Sequence, residues 1–272
     1  HHLARQIRAF DPSVVMSWLN RATDFTPAGN WTHVARLGGY YNLKYYRHCD
    51  WLVGNTRGIA DWLVKQGWPA DRVHHQVNFV PAPQHPALQR SQFDTPEKEP
   101  LIVALGRLHH NKGFDTLLRA LAHTTDGVLW LAGEGPERNR LEALTDELGL
   151  RERVRFLGWQ TASECVIAAA DLFVCPSRHE PFGNVIAEAF AAGKPVIATR
   201  SDGAVEHIED GSDGVLVPLD DPSTLAEEIN TLIANKQTAQ TLGKAAYHSW
   251  NRLFNPKQVT SDWISFLSEV AG

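Results

Sequence analysis

The sequence predicts an α/β protein of two domains built on parallel sheets, and three observations carry that prediction. Short β-branched runs alternate with helical stretches along the 272 residues, the pattern of parallel strands joined by crossover helices. Beyond residue 100 these runs are apolar rather than alternating, as strands buried on both faces must be. Between 81 and 100 the pattern stops: PAPQHPALQRSQFDTPEKEP holds five of the fifteen prolines and reads as a linker.

Before that break, strands are expected at 13–19, 33–37, 51–55 and 73–80. Helices lie between them, the clearest at 57–66, with Gly67 placed as its C-cap. Four strands are few for a doubly wound domain, so the first domain is expected to be incomplete. The chain also opens on His1-His2 and contains a single methionine, Met16, so its native start is expected to be absent. After the break, strands are expected at 101–105, 128–132, 154–157, 172–175, 196–198 and 215–217. Helices intervene at about 114–122, 136–148, 162–169, 185–191 and 224–234, the second of them opening on Pro136, where a first turn tolerates proline. Six strands with their helices make one complete Rossmann-like domain. Two helices close the chain, around 236–253 and 257–270. The expected organisation is a partial first domain over 1–83, a linker over 84–100, a second domain over 101–253 and a closing helix over 254–272.

Composition narrows the function. With 43% hydrophobic and 21% charged residues the chain is too apolar for intrinsic disorder. No run approaches the ~18 apolar residues of a membrane span; the best stretch, 166–175, is broken by Asp171. Residues 1–10 carry Arg5 and Arg8 without an apolar core, so no secretory signal is read. Cys49, Cys165 and Cys175 are odd in number and far apart, which argues against a disulfide scaffold or a cysteine-built zinc site and favours a reducing cytoplasm. Residues 1–80 hold nine Lys/Arg against five Asp/Glu, and residues 81–272 seventeen against twenty-six. This asymmetry suggests that the two halves meet different things, though chance surface variation explains it equally well.

Three clusters carry candidate chemistry. GRLHHNKGFD, from Gly106 to Asp115, follows a buried strand and opens a helix. Such a turn aims backbone N–H groups and the positive helix end at one spot, which suits a phosphate, and Arg107 and Lys112 add two full charges. Glu180-Pro181-Phe182-Gly183-Asn184, with Glu188 further into the next helix, follows another buried strand. Two carboxylates bracketing exposed amides can grip hydroxyls at both ends of a ligand whose phosphates lie between. Taken alone, each cluster has a plain structural explanation: a solvated turn for the first, a buried paired Glu188 and a surface Glu180 for the second. Gly133-Glu134-Gly135-Pro136 is a third strand-end turn, but Arg138 stands where a dinucleotide fingerprint has its third glycine. All three fall at the carboxyl ends of parallel strands, where such sheets bind ligands.

In order and spacing, LGRLHHNKGFDTLLRAL, LAGEGPER, VRFLG and LFVCPSRHEPFGNVIAEAFAAGKPVIAT resemble the donor-binding half of the GT-B glycosyltransferases of family 4, retaining enzymes that use nucleotide sugars. The resemblance runs through 101–219 and extends more weakly upstream, where DWLVGNTRGIADWLVKQGW and DRVHHQVNFV look like the end of that family's N-terminal domain, with Phe79 in place of a usual glycine. The resemblance implies two Rossmann-like domains facing across a cleft, the first incomplete, and a closing helix packed back on the first. It also implies roles. Arg107 and Lys112 match the pair that holds and stabilises the leaving diphosphate, Glu180 the glutamate at the donor sugar and Glu188 the one at the ribose. Phe182, Gly183 and Asn184 match the segment whose backbone meets sugar and phosphates, and Gly106, Gly133 and Gly135 line the same crevice. No Asp-x-Asp triplet occurs, so neither a metal nor any other cofactor is expected.

The first domain should take the acceptor, a glycan or a lipid-linked one, with no role for nucleic acid. Family members often carry a histidine at the strand end near 34–41; here the residues are Arg36-Leu37-Gly38-Gly39. The next stretch, 40–48, holds four of the five tyrosines beside Lys44, Arg47 and His48. It is a candidate for peripheral contact with the anionic inner membrane surface, although packing within the domain is the favoured reading. The adjacent histidines His74-His75 and His109-His110 read as structural or solvated, and 206–209 as a capping segment. The leading expectation is a cytoplasmic, metal-independent, retaining transferase of bacterial polysaccharide or lipopolysaccharide synthesis. The rivals are an epimerase or phosphorylase of the same architecture and a non-catalytic or truncated sugar-nucleotide binder. A phosphorylase would need a pyridoxal lysine, for which 194, 236 and 244 offer no motif.

Overall fold

A computed structural model describes residues 2–272. The chain divides into two compact units, 1–79 with 256–272, and 80–255.

The first unit begins with helix α1 (His2–Phe10), strand β1 (Val14–Trp18), helix α2 (Leu19–Phe25), strand β2 (Thr32–Leu37) and strand β3 (Trp51–Gly54). Helix α3 (Arg57–Lys65) and strand β4 (Val73–His75) follow, giving a parallel sheet in the order β1-β2-β3-β4. Helix α3 starts where Thr56 Oγ1 accepts the Ile59 N–H at 3.1 Å and ends before Gly67 at φ +94°. Strand alternation sends Ala35, Leu37 and Leu52 to one face, against Ile59, Leu63 and the fully buried Tyr46. The opposite face carries Val34 and Val53 and is covered by Phe266 and Val270. These last belong to the helix of 256–270, whose Phe266 stacks on His74 with ring centroids 4.0 Å apart. Burying a side chain of that size contributes about 1.5–3 kcal/mol.

The second unit runs β5 (Leu101–Leu105), α4 (Phe114–Leu121), β6 (Val128–Ala132), α5 (Arg138–Glu147), β7 (Val154–Gly158), α6 (Ser163–Ala169) and β8 (Leu172–Cys175). It continues with α7 (Asn184–Ala191), β9 (Val196–Thr199), α8 (Asp202–His207), β10 (Val215–Val217), α9 (Pro222–Ala234) and α10 (Lys236–Leu253), and α11 (Pro256–Val270) returns to the first unit. All its strands are parallel, in the order β10-β9-β8-β5-β6-β7. Chain order therefore reverses between β5 and β8, which makes the carboxyl ends of those two strands a topological switch point. The core lies between sheet and helices, with Ile102, Leu117, Leu129, Leu131 and Val174 buried together.

Several elements differ from the sequence expectation. The run after Val73 leaves the sheet at His75, well short of residue 80. Pro136 lies in the turn before α5, which starts two residues later at Arg138. The 206–209 segment is not a cap after a strand, because its first two residues close α8. Helix α1 was not expected; Leu3, Ile7 and Phe10 share one face of it, yet none of its residues is buried, and α2, which falls between two strands where a helix was expected, buries only Thr23. The segment 84–100 is no free tether. Arg90 donates to the Glu99 and Ala169 carbonyls, each at 3.0 Å, and Thr95 Oγ1 accepts the buried Trp130 indole N–H at 2.9 Å. His1 lies outside the described residues, as does the expectation placed on it. Among the described residues no helix is long and apolar enough to cross a membrane.

Candidate functional site

The site is built on the carboxyl edge of the second sheet. The turns leaving β5 and β6 are stitched together: Gly106 N–H donates to the Ala132 carbonyl at 3.0 Å, and Leu108 N–H to the Glu134 carbonyl at 2.9 Å. This approach requires glycine at 133, where φ is +134° and an added Cβ would lie 1.9 Å from the Gly106 carbonyl oxygen. Gly113, at φ +63°, does the same between the β5 turn and the exit of β8, because its Cβ would lie 2.0 Å from the Pro176 carbonyl oxygen. Between the turns leaving β5 and β6 and the 159–163 segment lies a cleft of about 310 Å³, lined by Gly106, Arg107, Gly133, Trp159, Gln160 and Ser163 among others.

Charged groups line this edge. Arg107 is exposed at the mouth of the cleft. The aliphatic chain of Lys112 runs beside Gly106, 3.5 Å from where a Cβ there would stand, and its Nζ is paired with the Glu180 carboxylate. Ser177 Oγ lies 3.4 Å from the same carboxylate, and Thr199 Oγ1 donates to the Ser177 carbonyl at 2.6 Å. Glu188, in the second turn of α7, accepts from Ser163 Oγ at 2.9 Å. Burial pushes the Glu188 carboxyl above its ordinary value; the Ser163 hydrogen bond opposes this and the charge of Glu164 adds to it.

Phe182 is placed differently from the other expected residues. Its ring is buried against His207 and Phe254, with centroids 4.5 and 6.0 Å away, so only its backbone is available to a ligand. Gly183 is the N-cap of α7, and Asn184, exposed, is its first residue. Gly135 presses on Leu108 and shapes the turn. The histidines of the first loop stay peripheral: His109 Nδ1 accepts the Asn111 N–H at 3.2 Å, and His110 is exposed.

Three side chains that matter here carry no signal in the sequence. Arg178 locks the 107–113 loop in place: it donates to Asp115 at 2.7 and 3.0 Å, to Asp220 at 2.6 Å and to the His110 carbonyl at 2.8 Å. Burial raises the Asp115 carboxyl, but Arg178 outweighs it and holds the group below its ordinary value. Arg178 lies inside the PSRHEPFG block, yet nothing in the spacing says that its partners are 63 and 42 residues away. Ser163 and the exposed Trp159 carry no motif at all. Elsewhere among the described residues, His85, Glu164 and Cys165 bring three donor atoms within 4.8 Å of one another.

In the first unit the tyrosine-rich stretch is divided. Tyr46 is fully buried and Tyr45 partly so, while Tyr40, Lys44 and Arg47 are exposed.

Comparison with known proteins gives concordant findings. Residues 87–249 match the family described as Glycosyl transferases group 1. Lipopolysaccharide core biosynthesis glycosyltransferase LpsE of Rhizobium meliloti (strain 1021) is 35% identical over 269 residues, covering 98% of this chain and 78% of that protein. LpsD of the same organism is 38% identical over 262 residues, covering 96% and 76%. Among solved structures, Anabaena Alr3699/HepE in complex with UDP superposes with a TM-score of 0.88 at 23% identity, covering 98% of this chain and 82% of that one.

Proposed function

This chain belongs to the group 1 glycosyl transferases, and from that membership we propose that it moves a sugar from a nucleotide-diphosphate donor, with retention and without a metal ion, to a glycan or lipid-linked acceptor of lipopolysaccharide-type assembly. It is a glycosyltransferase of GT-B fold. The observation that carries the donor reading is the Lys112–Glu180 pair at the β5/β8 switch point, beside a cleft floored by Gly106 and Gly133.

The chemistry follows from charge. When the bond between the sugar C1 and the diphosphate oxygen breaks, the electron pair stays on the diphosphate and positive charge builds on the sugar ring. The acceptor hydroxyl then bonds to C1 on the face the diphosphate leaves, and its proton passes to the departing phosphate oxygen. An ammonium has three N–H donors; Lys112 spends one on Glu180 and keeps two for phosphate oxygens. Arg107, exposed at the cleft mouth, adds a second cation. Cations fixed in advance at the developing charge contribute several kcal/mol of barrier lowering, the work a divalent ion would otherwise do. Glu180 is positioned for a sugar hydroxyl, and Glu188, steadied by Ser163, for the ribose hydroxyls. The backbone of Phe182, Gly183 and Asn184 meets the sugar and phosphates, and the exposed Trp159 gives the nucleobase a stacking wall.

The names of LpsE and LpsD support a role in lipopolysaccharide core synthesis, and exposed Lys44 and Arg47 support peripheral contact with the cytoplasmic membrane face. The test incubates the protein with UDP-, GDP- and ADP-sugars and follows nucleoside diphosphate release with and without EDTA. One donor class should release its diphosphate at a rate EDTA leaves unchanged, and the anomer first seen by NMR should match that of the donor. Loss of release in EDTA, or the opposite anomer, contradicts the proposal.

A further inference from the structure

The first unit holds a polar cluster of its own at the carboxyl edge of its sheet. Three adjacent strands bring it together. Arg36 is the penultimate residue of β2, opposite Val53 of β3. Asn55 follows β3, its N–H donating to the Leu37 carbonyl at 3.1 Å, and Asn78 lies beyond β4, whose ladder ends with Gln76 N–H on the Gly54 carbonyl at 3.0 Å. Arg36 donates from its guanidinium to Asn78 Oδ1. Gly38 lines the space between: a Cβ there would stand 3.7 Å from Asn55 Nδ2 and 3.9 Å from the Tyr41 hydroxyl.

Two features of the cluster are unusual. Arg36 is half-buried, yet it forms no ion pair with a carboxylate among the described residues. Burial lowers its pKa, and the group acting against that is the Tyr41 phenol. A guanidinium taken partly out of water is normally matched by an anion. Asn55, only 3% exposed, has an Oδ1 with no hydrogen-bond partner, although buried polar atoms are satisfied in nearly all cases. The cluster therefore lacks one anion, at Arg36, and one hydrogen-bond donor, at Asn55. A guanidinium fork fits a carboxylate or phosphate bidentately, and an amide oxygen fits a sugar hydroxyl.

We propose that Arg36, Asn55 and the Tyr41 hydroxyl form an acceptor subsite that recognises a sugar carrying an oxyanion, with Arg36 on the anion and Asn55 on a ring hydroxyl. The proposal rests on the transferase reading for the word acceptor, and on the cluster alone for the anion. It makes Arg36 a specificity-determining residue: neutral sugars leave its guanidinium unmatched, and acidic ones complete it.

The test titrates the whole protein with glucose, glucuronate and glucose 6-phosphate, and on the same samples with UDP, GDP and ADP, by calorimetry. Glucuronate or glucose 6-phosphate should bind at least about tenfold tighter than glucose, and the stronger of the two identifies carboxylate or phosphate as the anion. Arg36→Gln should bring both anionic sugars down to the affinity of glucose while nucleotide affinity stays within about twofold. Gly38→Asp serves if Arg36→Gln does not fold; it supplies the missing carboxylate from within and should erase the same preference. Equal binding of the three sugars, no binding of any of them, or a preference that survives both variants overturns the proposal. Failure of every nucleotide to bind counts against the donor reading instead and leaves the sugar preference to be judged on its own numbers.

Discussion

The two sheets end in carboxyl edges of opposite character. On the second unit glycines let three loops touch and most of the charges are matched, Lys112 by Glu180 and Arg178 by Asp115 and Asp220, with Arg107 left exposed at the cleft mouth. On the first unit the edge carries Arg36 without a carboxylate and Asn55 with an unpartnered oxygen. Under the proposed function the contrast bears on how each edge would meet its ligand. A site that must stabilise charge appearing during a reaction gains from groups fixed beforehand, since no reorganisation is then left for the transition state. A site that only selects a partner can leave groups unsatisfied until the right partner supplies the missing half, because the wrong one then binds without that gain.

The largest expected effect tests whether closure of the second edge is structural. Gly133→Ala places a Cβ against the Gly106 carbonyl in a backbone conformation that alanine avoids. It should cost about 2–4 kcal/mol in denaturant unfolding and abolish any nucleotide-induced rise in Tm. A loss below about 0.5 kcal/mol would show that the turns separate without penalty. Next comes Arg178→Ala, which strips Asp115 of its main partner. Both side chains keep some solvent contact, so about 1–3 kcal/mol is expected, less than for a fully buried pair. Nucleotide affinity should fall as well, although Arg178 touches no ligand in this account, because the 107–113 loop loses its anchor on the His110 carbonyl. Unchanged affinity would show that the loop holds its shape unaided.

A smaller effect separates stacking from charge. Trp159→Ala should weaken nucleoside diphosphate binding by about 1–3 kcal/mol through lost base stacking, with stability unchanged because the ring is already exposed. If nucleotide affinity does not move, the base sits elsewhere. The smallest effect is a pH dependence. Burial raises the folded-state pKa of Glu188, so the folded protein binds its proton more readily than the unfolded chain does. Its contribution to stability is then fully present below the ordinary Glu value of 4.5 and is lost as pH rises through the folded value. Stability of the wild type relative to Glu188→Gln should accordingly improve as pH falls from 7 towards 4.5. A flat difference across that range would place the carboxylate in a water-like setting.

Much of this was legible in the chain itself, and the reason is local. The strands at 101–105, 128–132, 172–175 and 215–217 stand where apolar runs bounded by glycine or charge place them. Lys112 and Glu180 could be picked out because each sits in the loop that leaves a buried strand, and Glu188 because it lies in the helix that follows the second of these loops. What stayed hidden was long-range or weakly patterned. The partners of Arg178 are set by the meeting of two loops, which no short motif encodes. Ser163 acquires meaning only through Glu188, 25 residues away. Helix α1 spaces Leu3, Ile7 and Phe10 on one face, but its nine residues are a short window for periodicity and none of them is buried. The proline-rich 84–100 segment looked like a tether because prolines report a lack of regular structure, not a lack of contacts; Thr95 and Arg90 show the difference.

In the proposed function the two edges divide the labour, nucleotide on the second unit and anion-bearing sugar on the first. Calorimetric titration of the nucleoside diphosphate into wild type, Lys112→Ala and Arg36→Gln tests it most directly. Affinity should fall roughly 10- to 100-fold in Lys112→Ala, the worth of one or two charge-assisted hydrogen bonds, and change no more than about twofold in Arg36→Gln. Full affinity in Lys112→Ala, or an equal loss in both variants, would contradict it.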